Sequence, residues 1–399
     1  MGVETRRLNL DEIQLARAFA IIAVLLVHSS STGVTSVPTD SLLFPIYNFF
    51  NVAGKLGTPT FIMLSAFVLF YNYYPRKTDA TLIKNFYIKR LKYILIPYLL
   101  FSGLYFGVKW FAYYDYPSFG FALNKFLYLV ALGKAHPHLY FVFISVQLYL
   151  LFPFFMLLFK RFKRLRKHAF WLGIAIQWIW VYLNKEYFHI TLKGSISLSY
   201  MSFYFVGAYL GIYYHDLREK MKDHLIRFKT LAFIFFLYGT LVVLYTGYMY
   251  LVRIGAYGIV SNNLPDLINQ YIAEFTWATH ALFAGLGLFL LAHWAEKSFQ
   301  PSRKRFFMEI GATSFGIYLI HPMLLMIMRY FVQGGSPLVF HGWQILTFIV
   351  IFVLSWAIVR LTHKLIPQYW IIFGKMPPME TSRKYKADAH RNTSTSLSS

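Results

Sequence analysis

Ten stretches of mostly apolar residues, each close to the thickness of a bilayer, divide the chain. They lie at 13–32, 53–73, 93–112, 139–159, 169–184, 199–215, 230–250, 275–295, 311–331 and 343–363. A helix needs about 20 such residues to cross the hydrocarbon core. Lipid offers no hydrogen bonds to a backbone, so a stretch of this kind satisfies its own N–H and C=O groups as a helix. The expectation is an all-α, polytopic membrane bundle of about ten transmembrane helices. Composition agrees, with 57% hydrophobic and only 14% charged residues. Soluble domains average about 45–50% and about 25%, so an ordinary soluble enzyme is excluded.

Loop charge sets the orientation. With the N-terminus inside, basic residues fall in every second connection. They occur at Arg6 and Arg7, from Arg76 to Lys92, Lys160 to Lys167, Arg218 to Lys229, Lys297 to Arg305, and Lys364 to Arg391. The intervening loops hold Lys125, Lys134, Lys185, Lys193 and Arg253. Cytoplasmic loops are enriched in Lys and Arg, so both termini are expected in the cytoplasm. The net charge of +23 is then a topology signal, and a nucleic-acid partner is not expected. Residues 1–12 form a cytoplasmic N-terminus, 13–365 one membrane domain, and 366–399 a cytoplasmic tail. From about 377 that tail is polar, Ser/Thr-rich and expected to be disordered. The first apolar stretch lacks a signal-peptidase pattern and reads as a retained signal anchor. Cysteine is absent, which excludes disulfides and thiol nucleophiles. No metal-spaced His/Glu cluster appears, and no metal is expected.

Ionisable groups inside a span are costly and mark function by default. The first span carries Arg17 and His28. Eleven residues bring them about 20° past three full turns, on one face and about 16 Å apart along the axis. The bland alternatives are a snorkelling arginine and a hydrogen-bonded bundle histidine. The ninth span contains Ser-Phe-Gly-Ile-Tyr-Leu-Ile-His-Pro from Ser314 to Pro322. Pro322 removes a backbone donor and favours a kink beside His321. That histidine either satisfies the broken ladder or shares a cavity with His28. The second span begins with small residues and a proline, Gly57 to Ala66, around Ser65. Lys89, Arg90 and Lys92 precede Ile96-Pro97-Tyr98 at the third span. They anchor the helix at the membrane surface or cradle a phosphorylated donor. On the outer side lie His136, His138, Glu274 and His280 among many Tyr and Trp residues. These aromatics form an interface belt or stack on sugar rings.

Arg17, ten residues, then His28, together with the small-residue second span, the basic entry before Ile96-Pro97-Tyr98 and the ninth-span SFGIYLIHP, resembles the acyltransferase family 3 integral membrane proteins. The resemblance covers residues 13 to about 365. It implies an O-acyltransferase of sugars and other hydroxyl acceptors. The donor would be acyl-CoA (acetyl-CoA or succinyl-CoA) held by Arg17, Lys89, Arg90 and Lys92. His28 would act as general base or acyl carrier, with Arg17 and His321 completing the catalytic set. His321 would orient the acceptor or stabilise an oxyanion. Ser65, His138, Glu274 and Tyr318 would contact the acceptor. One departure stands: many members carry Arg-x-x-Arg at the third span, whereas Arg90 is followed three residues later by Tyr93. GTPTFIMLS, LKYILIPY, FYFVGAYLG and IIFGKMPP also resemble the membrane component of intercellular-adhesin (poly-β-1,6-N-acetylglucosamine) biosynthesis. That subgroup has been viewed both as an O-acyltransferase and as a polymer exporter, and both readings stay open. The implied partners are a glycan acceptor, the lipid bilayer and a polysaccharide synthase complex, with the protein multi-pass in the cell membrane.

Overall fold

The computed structural model describes residues 10–113, 118–256, 266–331 and 336–376. Among these the regular elements are all helical. They are α1 (Asp11–Ser36), α2 (Phe44–Ala53), α3 (Gly57–Tyr73), α4 (Ala80–Arg90), α5 (Ile96–Tyr113), α6 (Phe119–Ala131), α7 (Tyr140–Arg161), α8 (Lys163–Lys167), α9 (Ala169–Leu183) and α10 (Met201–Ile212). There follow α11 (Tyr214–Lys220), α12 (His224–Arg253), α13 (Asp266–Ser298), α14 (Pro301–Phe331), α15 (Pro337–Leu365) and α16 (Trp370–Phe373). Helix starts follow local chemistry. Asp79 accepts from Leu82 N–H at 2.7 Å and Asp223 from Ile226 N–H at 2.9 Å, capping α4 and α12. Asp11 and Glu12 occupy the first turn of α1, where negative charge suits the helix dipole.

Eight helical runs are long and apolar enough to cross a membrane, and the chain is a multi-pass membrane protein. The predicted fifth and sixth spans become α9, of 15 residues, and α10, of 12. Both fall short of a full crossing as regular α-helix. Helix α10 is a packed element: a Cβ on Gly207 would collide with the Met63 carbonyl of α3, and one on Gly211 with the Phe67 carbonyl. Small residues allow such close backbone approach where no aqueous hydrophobic effect drives association. Helix α6 is apolar but too short to cross, and it lies between the predicted third and fourth spans.

The centre of the bundle is α1, which packs against α2, α3, α13, α14 and α15. Leu15, Ala16, Ala18, Ala20, Ile21 and Leu25 are fully buried. Helix α14 runs parallel to it in fixed register. Gly311 lies on the Gln14 carbonyl, and Arg329 Nε donates to Thr32 Oγ1 at 3.0 Å. At the N-terminal end of α1 the Tyr214 hydroxyl donates to Glu12 Oε1 and lies 3.1 Å from His293 Nε2. His293 Nδ1 donates to the Phe289 carbonyl at 2.8 Å. A π-helical turn, Leu91–Leu95, joins α4 to α5. Pro97 has no N–H for the Tyr93 carbonyl, and that opens the ladder. Gly374, at φ 68°, closes against this carbonyl, and Phe373 and Met376 are buried. Residues 1–9 and the tail from 377 lie outside the described residues.

Candidate active site

Four imidazoles from three segments meet around the C-terminal halves of α1 and α14. The His28 and His321 rings are 5.0 Å apart, and His321 is 5.8 Å from His138. His138 sits in the 3-10 turn Pro137–Leu139 that opens α7, and its Nδ1 is 2.7 Å from His136 Nδ1. Tyr105 of α5 stacks on His136 at 4.3 Å and meets His138 at 5.0 Å. Tyr318 donates its hydroxyl hydrogen to the His138 carbonyl, and its ring is 5.9 Å from His321. The register of α1 on α14 thus places His28 and His321 at one depth.

The hydrogen bonds assign the protons. His321 Nδ1 lies 3.1 Å from the Ile317 carbonyl. A carbonyl only accepts, so Nδ1 carries the hydrogen and Nε2 of the neutral ring is an acceptor. His321 Nε2 and His138 Nε2 are both buried without a hydrogen-bond partner among the described residues. Burial pushes His136, just ahead of α7, down to about 4, and the nearby Lys109 charge acts in the same direction. One hydrogen then lies between the Nδ1 atoms of His136 and His138. An unpaired buried imidazole nitrogen costs about 1–3 kcal/mol, and a hydroxyl placed between such rings would relieve that cost. His28 is half-buried. Arg329 fixes its turn, donating from Nη2 to the His28 carbonyl at 3.1 Å and to Ser31 Oγ at 2.5 Å.

Arg17 lies on the same face of α1 toward its N-terminus, within electrostatic reach of Arg90 and Tyr149. The Arg90 guanidinium sits 5.3 Å from the Tyr149 ring. Neither arginine has a carboxylate partner among the described residues. Two guanidinium groups within electrostatic reach of each other and without a carboxylate counter-charge fit a polyanionic group such as a phosphate. The other two predicted donor contacts are not part of this pair. Lys89 is exposed, and Lys92 Nζ sits 4.2 Å from the Trp370 ring of α16. The face of α1 between Arg17 and His28 is closed by buried Ile21 and Val24.

The remaining predicted contacts divide. His138 and Tyr318 are in the cluster. Glu274 of α13 is buried and ion-paired with Lys193. Tyr200 lies within electrostatic reach of Glu274 and Tyr140, and Tyr140 bonds Thr58 at 3.0 Å. Tyr318 in turn lies within electrostatic reach of Tyr140 and Tyr200. Ser65 is half-buried on α3. It lies about 12 Å along the helix from Gly57, which meets Val24. That puts Ser65 at about the level of Arg17, not of His28. His280 is buried between Tyr238 and Tyr245, at 5.8 and 5.2 Å, apart from the cluster. Sequence reasoning missed Tyr105 and Arg329. Arg329 had one visible signal, a cation at the end of a span, whereas Tyr105 had none. The described residues hold no group of three or more His, Cys, Asp or Glu residues that could bind a metal ion.

A family model described as an acyltransferase domain, acyltransferase 3, matches residues 10–360. The chain is similar to a probable poly-beta-1,6-N-acetyl-D-glucosamine export protein of Staphylococcus epidermidis. That relative is 26% identical over 329 residues, covering 79% of this chain and 81% of the relative. A protein of the same description from Staphylococcus aureus (strain MRSA252) is 25% identical over 319 residues, covering 76% and 79%. No solved structure matches the chain. With nearly all of its membrane domain matched, the chain belongs to the acyltransferase 3 family and is a multi-pass membrane acyltransferase of groups other than aminoacyl groups.

Proposed function

We propose that the protein moves an acetyl or succinyl group from cytoplasmic acyl-CoA to a hydroxyl of a cell-surface or exported polysaccharide of the poly-N-acetylglucosamine type. The observation that carries this reading is the convergence of His28, His138 and His321 with buried, unpartnered Nε2 atoms on two of the rings. The proposal takes both termini as cytoplasmic, which puts Arg17 toward the inside and the histidines toward the outside. Arg17 and Arg90 hold the donor's phosphates. His321 accepts a hydrogen bond from a neighbouring hydroxyl of the acceptor sugar and so orients the reacting one. Its Nε2 lone pair makes it an acceptor, so the neutral ring does not stabilise an oxyanion. His28 takes the hydroxyl proton as the oxygen attacks the thioester carbonyl, and the departing thiolate is protonated in turn. The donor's arm spans about 16 Å along α1. Ile21 and Val24 close that face, so transfer requires α1 to part locally from its neighbours. Glu274, Tyr200 and Tyr318 line the approach of the sugar. A polysaccharide synthase complex is a fitting partner, since it would supply the acceptor at this face.

The relatives' description as export proteins favours a second reading, in which the same polar residues conduct the polymer without chemistry. Ester analysis of surface polysaccharide separates the two. A deletion strain is complemented with wild type or with His28→Ala at matched protein level. Equal polymer mass with O-acyl groups lost, and transfer by His28→Ala reduced about 10²–10⁴-fold, supports the transferase. Polymer absent from the surface and retained inside supports export.

A further inference from the structure

We infer that Tyr105 is a positioning residue for His321, acting by holding one turn of α14 open. This rests on the reading that His321 orients the acceptor hydroxyl. In an unbroken helix Met323 N–H donates to the Leu319 carbonyl. Here the Tyr105 hydroxyl is bonded to both. It donates to the Leu319 carbonyl at 2.8 Å and accepts from Met323 N–H at 3.2 Å. A side chain inserted into the ladder opens a helix. One position earlier Pro322 has no N–H, so the Tyr318 carbonyl lacks its helical donor. The two interruptions bracket His321, and its ring bonds back to the Ile317 carbonyl in the same turn.

Tyr105 is fully buried, and its ring contacts His136 and His138. A phenylalanine would fill the same space and keep those ring contacts. The hydroxyl has the single task of separating Leu319 from Met323. Without it the carbonyl and amide can bond directly, the turn closes, and the Nε2 of His321 rotates away from its place beside His28. Tyr105 and Pro322 are therefore one device built from two helices. The proline prevents one backbone bond and the phenol replaces the next.

The test uses the full chain in proteoliposomes, with acetyl-CoA or succinyl-CoA and a β-1,6-linked N-acetylglucosamine oligosaccharide. Tyr105→Phe is expected to lower kcat about 10- to 100-fold, with the KM for the donor and the thermal melting of the protein unchanged. In a His321→Ala background, Tyr105→Phe is expected to change kcat no further, because it acts through that ring. Pro322→Ala restores the donor to the Tyr318 carbonyl and is expected to lower kcat. Its combination with Tyr105→Phe should cost less than the product of the two. Full kcat in Tyr105→Phe, an undiminished further loss on top of His321→Ala, or effects of Tyr105→Phe and Pro322→Ala that simply multiply would each overturn the inference. Full activity in His321→Ala would instead overturn the reading of the site on which it rests.

Discussion

Histidine occurs in two buried polar clusters near opposite ends of α1, and the two are wired differently. At the N-terminal end, His293 bonds the Phe289 carbonyl through Nδ1 and faces the Tyr214 hydroxyl through Nε2, and that hydroxyl bonds the Glu12 carboxylate. Both ring nitrogens have a polar atom within hydrogen-bonding distance, and a carboxylate lies 3.8 Å from Nε2. Toward the other end, His321 also bonds a carbonyl through Nδ1, but its Nε2 has no partner among the described residues. The first arrangement joins α1, α11 and α13, with every donor answered. The second leaves acceptor capacity inside the bundle for something that arrives. Burial of a histidine is common to both and therefore says little about function. The unanswered nitrogen distinguishes them.

That contrast is open to direct attack. His321→Ala should reduce transfer about 100-fold or more, while His293→Gln should leave kcat unchanged in purified, folded protein. Steady-state kinetics on both would erase the distinction if the two losses were equal. A smaller effect is expected at the donor end. Arg17→Ala should raise the donor's KM about 10- to 100-fold through loss of a charge-assisted bond. Lys92→Ala should not raise it, because that ammonium is committed to Trp370. A donor titration in vesicles reads both. The smallest change in activity, though not in stability, belongs to Glu12. Glu12→Ala leaves Tyr214 and His293 without their carboxylate and should cost about 1–3 kcal/mol. Thermal melting in detergent should fall while kcat per folded molecule holds. A loss of kcat without a loss of stability would move this cluster from scaffold to chemistry.

The alignment of Arg17 with His28 was legible in the chain. Helical periodicity is local, so the spacing of Arg17 and His28 placed both on one face before any tertiary contact was known. The apolar stretches anticipated the long helices, and the proline after His321 anticipated a broken ladder. That histidine bonds the carbonyl one turn back, and it faces His28. Three features were not legible. The predicted sixth span shortened to α10, which is buried in protein, because hydropathy reports burial in lipid and burial in protein alike. Lys92 turned to Trp370 because a long flexible cation finds an aromatic face wherever the chain returns one. Tyr105 entered the α14 ladder from another helix, and nothing in its own sequence neighbourhood marks it.

The sequence by itself determined that this chain is a helical membrane bundle with a cation and a histidine aligned on its first span. Those properties follow from bilayer thickness, backbone hydrogen bonding and the pitch of a helix, and each acts along the chain. Tertiary structure alone decided which histidines meet and which ring nitrogens are left unanswered. That outcome depends on the register of α1 against α14, set where Gly311 lets the two backbones touch at Gln14, and on a phenol supplied by α5. Contacts between helices depend on depth and crossing, and these emerge only when all the surfaces pack at once.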